Sequence, residues 1–185
     1  MKRIFLVVLF SFIALSAFAQ WDFPAGMRME VAEAGQDDNE YSIFAYRDDD
    51  GTFGYYLSLG HVFHLLEIFR EDITDASLDH LDEACLWLGA TADEAFATLD
   101  SLLELLDADM GTAVEFPGRL SSGAEKLGEP STATCVVVKR LLQGKRLCFY
   151  FTSGRHTAQA DLTKSAVKSL KSMFKLDQKI HPNRY

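Results

Sequence analysis

Two runs rich in aromatic and β-branched residues, Tyr41 to Arg47 and Thr52 to Gly60, flank Asp48-Asp49-Asp50-Gly51. Asp-Gly favours a tight turn, so the pattern predicts a first β-hairpin. His61 to Arg70 fits two periods: Val62, Leu65, Leu66 and Phe69 suit a helix, whereas Phe63, Leu65 and Phe69 suit one strand face, and the strand is preferred. Glu71 to Asp82 is an acidic connection, and Ala84 to Leu88, closed by Gly89, reads as a short buried strand. Thr91-Ala92-Asp93-Glu94 has the form of a capping box, in which the Thr hydroxyl accepts a backbone N–H and the Glu carboxylate accepts another in return. Phe96, Leu99, Leu103, Leu106 and Met110 then recur at helical spacing up to a stop at Gly111.

Thr112 to Phe116 predicts a further strand ended by Pro117-Gly118, and Arg119 to Ser131 a loop. Thr132 to Leu142 and Lys145 to Ser153 predict a second hairpin turning at Gln143-Gly144. Its apolar face is read as Val136, Val138, Leu147, Phe149 and Phe151, and its wet face as Lys139, Arg146, Tyr150 and Thr152. Ala160 to Leu176 predicts the last helix, with Leu162, Val167, Leu170, Met173 and Phe174 inward. Hairpins in place of strand–helix–strand crossovers make this an α+β chain. The expected architecture is a single antiparallel sheet of about six or seven strands with two amphipathic helices packed on one face, in an order that hints at a ββ(β)α pseudo-repeat.

The beginning of the chain reads as an address. Lys2 and Arg3 precede an apolar run from Ile4 to Leu15, and Ala17-Phe18-Ala19 places small residues where a signal peptidase cuts. Residues 1–19 are therefore expected to leave as a signal peptide, since the run is shorter than the roughly 20 residues that span a bilayer. Gln20 offers no lipidated cysteine, so the expected product has no transmembrane anchor and is exported, to the periplasm or the medium. Residues 20–40 show no clear period and form a lead-in; residues 41–185 form one α+β domain.

The 185 residues carry 18 Lys and Arg against 27 Asp and Glu, a net charge of -9. That balance, together with export, excludes a general nucleic-acid binder. The charge is unevenly spread. Residues 20–118 hold 3 bases and 23 acids, whereas residues 119–185 hold 13 bases and 4 acids, giving -20 and +9. On the two helices Asp93, Asp100, Glu104 and Asp107 oppose the first apolar face, and Lys164, Lys168, Lys171 and Lys175 the second. Two readings follow: the helices are neighbours whose flanks attract, or the dipolar surface recognises a protein or other macromolecular partner.

Candidate chemistry is sparse. His61, His64 and Glu67 have metal-ligand side chains, but on a strand His64 points away from the other two. Asp48 to Gly51 fails the calcium-loop template, because the first and twelfth positions fall on Tyr46 and Leu57. No cofactor or metal is expected, there is no Gly-x-Ser-x-Gly elbow, and the balance leans away from an enzyme. The candidate binding residues are Lys139, Arg146 and Tyr150 on the sheet, and Arg155, His156 and Thr157 at an expected strand-to-helix junction that would present a guanidinium, an imidazole and backbone N–H groups to an anion. Such an anion or small-molecule site, with hydrolysis as its extreme, is the alternative to partner binding. Of the three cysteines, Cys135 and Cys148 would lie roughly 13 Å apart along a hairpin turned at Gln143-Gly144, too far for a disulfide; Cys85 is free to pair only if the fold brings it alongside one of them.

Overall fold

The computed structural model describes residues 23–36, 39–62, 82–122, 127–128, 130–141, 144–153 and 156–182. Their chain order is β1 (Arg28–Gln36), β2 (Asn39–Arg47), β3 (Phe53–Val62), β4 (Asp82–Gly89), α1 (Ala92–Asp107), β5 (Ala113–Ser122), β6 (Pro130–Arg140), β7 (Gly144–Ser153), β8 (His156–Thr163) and α2 (Lys164–Ile180). All eight strands form one antiparallel sheet in sequential order, so every strand pairs with its chain neighbours. The α+β single sheet of the sequence reading holds, with eight strands rather than six or seven.

Both additional strands have local causes. β1 lies in the supposed lead-in, where the pairing slips between Glu30 and Ala32. Val31 and Ala32 are consequently buried side by side, and the period of two that would announce a strand is lost. β8 occupies the stretch assigned to a loop and the start of the last helix. Ala158, Ala160 and Leu162 turn inward in strict alternation, and the helix begins only at Lys164, where the Thr163 hydroxyl accepts the Ala166 N–H at 3.2 Å.

Other boundaries shift for similar reasons. β5 continues through Pro117 to Ser122. Pro117 pairs with Thr132 of β6, while pairing with β4 begins only at Gly118, so the proline sits where β5 has a ladder on one side only. α1 is capped by the predicted box, with Thr91 accepting from Glu94 N and Glu94 Oε2 accepting from Thr91 N. It ends at Asp107, which leaves Met110 outside the helix and 62% exposed.

The second hairpin turns one residue wider than expected. Arg140 pairs with Gly144, Lys139 with Lys145 and Val136 with Cys148. A register change of three residues swaps the faces of β6. Ala133, Cys135 and Val137 therefore join Leu147, Phe149 and Phe151 inside, whereas Val136 and Val138 share the outer face with Arg146 and Tyr150. Lys139 belongs to the inner set, not to the face of Arg146 and Tyr150.

Both helices cover the same face of the sheet. Leu99, Leu102 and Leu106 of α1 and Val167, Leu170 and Phe174 of α2 join one core with Ile43, Leu57, Leu86 and Phe149. Phe96 stacks on Phe174 at 4.7 Å between the helices. The sheet coils around this core: β8 touches β3, and the Tyr41 hydroxyl on β2 donates to the Asp161 carbonyl on β8 at 2.9 Å.

Candidate functional site

The face of the sheet away from the helices holds two side-chain groups, one in each half. In the first half the β2–β3 hairpin is a three-residue loop ending at Gly51 with φ +89°, which glycine adopts without strain. Its carboxylates are engaged inside the protein: Asp50 accepts the Thr52 N–H at 2.9 Å, which lowers its pKa, and Asp48 pairs with Arg119 at 2.8 Å. Arg119 also donates to the Gly128 carbonyl, which brings the connection after β5 back over this face, and Leu127 packs on the aromatic group there.

That group is Phe44, Tyr46, Tyr56 and Cys85, with Trp87 beside them. Gly54 makes room for it: a Cβ there would lie 1.9 Å from the Trp87 ring. Beside the rings, Arg28 donates to Glu83 at 2.6 Å and lies 3.8 Å above the Phe44 centroid, while Ser58 donates to the other Glu83 oxygen. Ser42 lies at the far guanidinium nitrogen at 3.5 Å. Glu83 is only 8% exposed, and both of its oxygens are taken. Sequence reasoning missed this group, whose ion pair joins residues 55 positions apart. Burial pushes the Tyr56 hydroxyl up to about 12 and the Cys85 thiol well above its ordinary value. A thiol held protonated in this way is no nucleophile.

In the second half Arg146 and Tyr150, both predicted site residues, lie on the outer face of β7 with Cys148 between them. Cys148 pairs with Asp161 of β8. The Asp161 carboxylate receives Arg140 at 2.7 Å and has Arg146 at 3.6 Å, on the same oxygen. The Cys148 thiol lies against the same carboxylate, so one Asp161 serves two guanidinium groups and a thiol. Burial raises the Cys148 thiol, and a hydrogen bond to Cys148 raises the Tyr150 hydroxyl.

The remaining predicted residues are dispersed. Lys139 faces Lys145 across the hairpin on the helix side. His156 and Thr157 open β8, paired with Ser153 and Thr152, so the expected strand-to-helix junction is a β7–β8 hairpin and the helix N-terminus lies at its other end. Arg155 lies outside the described residues, as do His64 and Glu67; His61 falls in β3. Among the described residues no group of His, Cys, Asp and Glu converges to hold a metal. All three cysteines are free and buried. Cys135 lies beside Cys148 in the register, not 13 Å away, and the two cannot bridge because their side chains leave opposite faces.

The helix charges attract each other as neighbours. Lys164 pairs with Asp107 and Lys171 with Asp100, and the Lys164 contact holds the Asp107 carboxyl below its ordinary range. Lys145 donates to the Ala108 carbonyl at 2.6 Å, where the C-terminal end of α1 favours a cation. Comparison with known proteins finds no matching family model, no matching curated protein and no matching solved structure.

Proposed function

We propose that this chain is an exported, non-enzymatic binding protein that engages a protein or other macromolecular partner in the envelope or the extracellular space. The N-terminal pattern Lys2-Arg3, Ile4–Leu15 and Ala17-Phe18-Ala19 supports export. The raised Cys85 and Cys148 thiols and the hydrogen-bonded Asp48 and Asp50 carboxylates support a role without catalysis.

The observation that carries partner binding is the outer flank of α2. Once Lys164 and Lys171 turn to α1, Met173, Leu176 and Ile180 remain 46%, 51% and 59% exposed. Ser169 and Ser172 beside them are exposed too, and the exposed Lys168, Lys175 and Lys179 border this flank, so apolar side chains are offered with bases at their rim. The order of four strands and a helix, twice over, supports reading the domain as two related halves.

The test is fractionation of the producing cells followed by N-terminal sequencing and photo-crosslinking from position 176. Export predicts Gln20 as the first residue of material from the envelope or medium. Partner binding predicts a discrete adduct from position 176 that is lost in Met173→Ser/Ile180→Ser. Retention of Met1 in the cytosol, or crosslinking indifferent to those substitutions, contradicts the reading.

A further inference from the structure

The exposed flank of α2 carries an internal order of small and large side chains. Ser165, Ser169 and Ser172 precede Met173, Leu176 and Ile180 along one stripe, at the steps of three and four residues that share a helix face, and all six are exposed. The stripe spans roughly 100° of the helix circumference. Val167, Leu170 and Phe174 turn to the core, and α2 meets α1 through Lys164, Lys171 and Phe174, so the stripe lies on the side away from α1. Lys168, Lys175 and Lys179 centre about 90° from it and stand in solvent beside it.

A stripe that runs from small to large fits a copy of itself running the other way. With a two-fold axis level with the bond between residues 172 and 173, Ser172 faces the partner's Met173, Ser169 the partner's Leu176 and Ser165 the partner's Ile180. Each large side chain then enters the room left by a serine. A parallel pair would instead set isoleucine on isoleucine at one end and serine on serine at the other, with a gap between the helices there. The Ser172 hydroxyl donates to the Lys168 carbonyl at 2.9 Å, so covering it strands no donor. α2 also packs on β1, the edge strand of the sheet, which places its outer flank at the margin of the molecule.

We infer that the partner seated on this flank is a second copy of the chain, with α2 against α2, antiparallel, about a two-fold axis beside Ser172 and Met173. This rests on the partner-binding reading of the flank and names the partner. An unrelated apolar surface would be served equally well by any order of small and large residues, whereas a second copy fits this one. Met173, Leu176 and Ile180 offer on the order of 300 Å² per copy, against the roughly 800 Å² per partner of a stable standard interface, so the dimer is reversible and forms as concentration rises. The lysine rows of the two copies fall on the same side of the pair and repel, so added salt favours it.

Thiol crosslinking with a short bismaleimide tests it on the protein isolated from the producing cells, because Cys85, Cys135 and Cys148 are at most 1% exposed and stay out of reach. In the antiparallel pair the two copies of position 172 are offset by about 1.5 Å along the helix axis, and those of position 165 by roughly 22 Å. Ser172→Cys is therefore expected to give an adduct of twice the chain mass and Ser165→Cys alone to stay monomeric, while a mixture of Ser165→Cys and Ile180→Cys gives the crossed dimer. Ser169→Arg, at an exposed position that leaves every apolar side chain in place, should weaken association at least roughly tenfold in sedimentation equilibrium. Equal crosslinking of Ser165→Cys and Ser172→Cys overturns the inference, and so does a Ser172→Cys protein that stays monomeric. If position 176 then still crosslinks to a protein of another mass, the second copy is wrong and the partner-binding reading stands; no adduct from either position overturns both.

Discussion

The outer face of the sheet is built differently in its two halves. Across β1 to β4 the Arg28–Glu83 pair has Ser58 on the second carboxylate oxygen and the Phe44 ring beneath the guanidinium, with Tyr46, Tyr56 and Trp87 closing the side. Across β6 to β8 a single Asp161 serves Arg140 and Arg146 through one oxygen, with the Cys148 thiol beside it. The first group spans four strands and resembles a clamp on their register; the second lies behind the exposed basic tip formed by Arg140 and Lys145. A polar network with every member satisfied rigidifies and specifies structure, whereas one carboxylate shared between two guanidinium groups holds each of them less firmly.

The largest test of this contrast removes a carboxylate from each half. Glu83→Ala leaves Arg28 stacked on Phe44 without its ion pair and should cost about 3 kcal/mol, toward the lower end for breaking a buried pair because the Arg28 side chain keeps 25% exposure. Asp161→Asn keeps an amide oxygen for Arg146, which is 13% exposed and cannot turn away, while Arg140 turns to solvent, and should cost about 2 kcal/mol. Urea unfolding of the two variants measures both, and equal losses would erase the distinction.

Alkali provides the next test. Burial pushes Tyr56 in the first half and Cys135 in the second up to about 12. Below the ordinary values of these groups the folded and unfolded states are equally protonated. Between about pH 9 and 12 the unfolded chain loses protons that the folded chain keeps, so stability falls through that window. Cys135→Ala should remove its share of the decline that starts near pH 9, to which Cys85 and Cys148 also contribute, and Tyr56→Phe its share of the part that starts near pH 10, to which Tyr150 contributes; thermal melts across this range report both.

The smallest effect belongs to the helix layer. Lys171→Ala should change stability by only a few tenths of a kcal/mol, because the Asp100 ion pair is exposed and screened, whereas Phe174→Ala beneath it should cost about 3 to 5 kcal/mol. Unfolding of this pair would show that the apolar contact and not the charge stripe joins the helices.

Elements with an uninterrupted local signal were legible in the sequence. The Thr91–Glu94 box and the Asp48–Gly51 turn appear where the residues place them. β1 was hidden by the slip at Val31, and β8 by its small alanines and its direct run into α2. The face of β6 was undecidable locally, because Val136-Val137-Val138 is apolar in either register and only the width of the turn chooses. The Arg28–Glu83 group was illegible for another reason: sequential pairing of four strands brings together side chains 55 residues apart, and no local period reports that. Among the predicted site residues Arg146 and Tyr150 do share a face, while Lys139 was displaced by the same register change that exposed the charged tip.

Amide hydrogen exchange of the protein puts the contrast between the halves to the most direct test. Exchange is expected to be slower in the peptides of β2 and β3, which the Arg28–Glu83 group clamps, than in the peptides of β7 and β8. Equal protection of the two pairs, or slower exchange in β7 and β8, would contradict it.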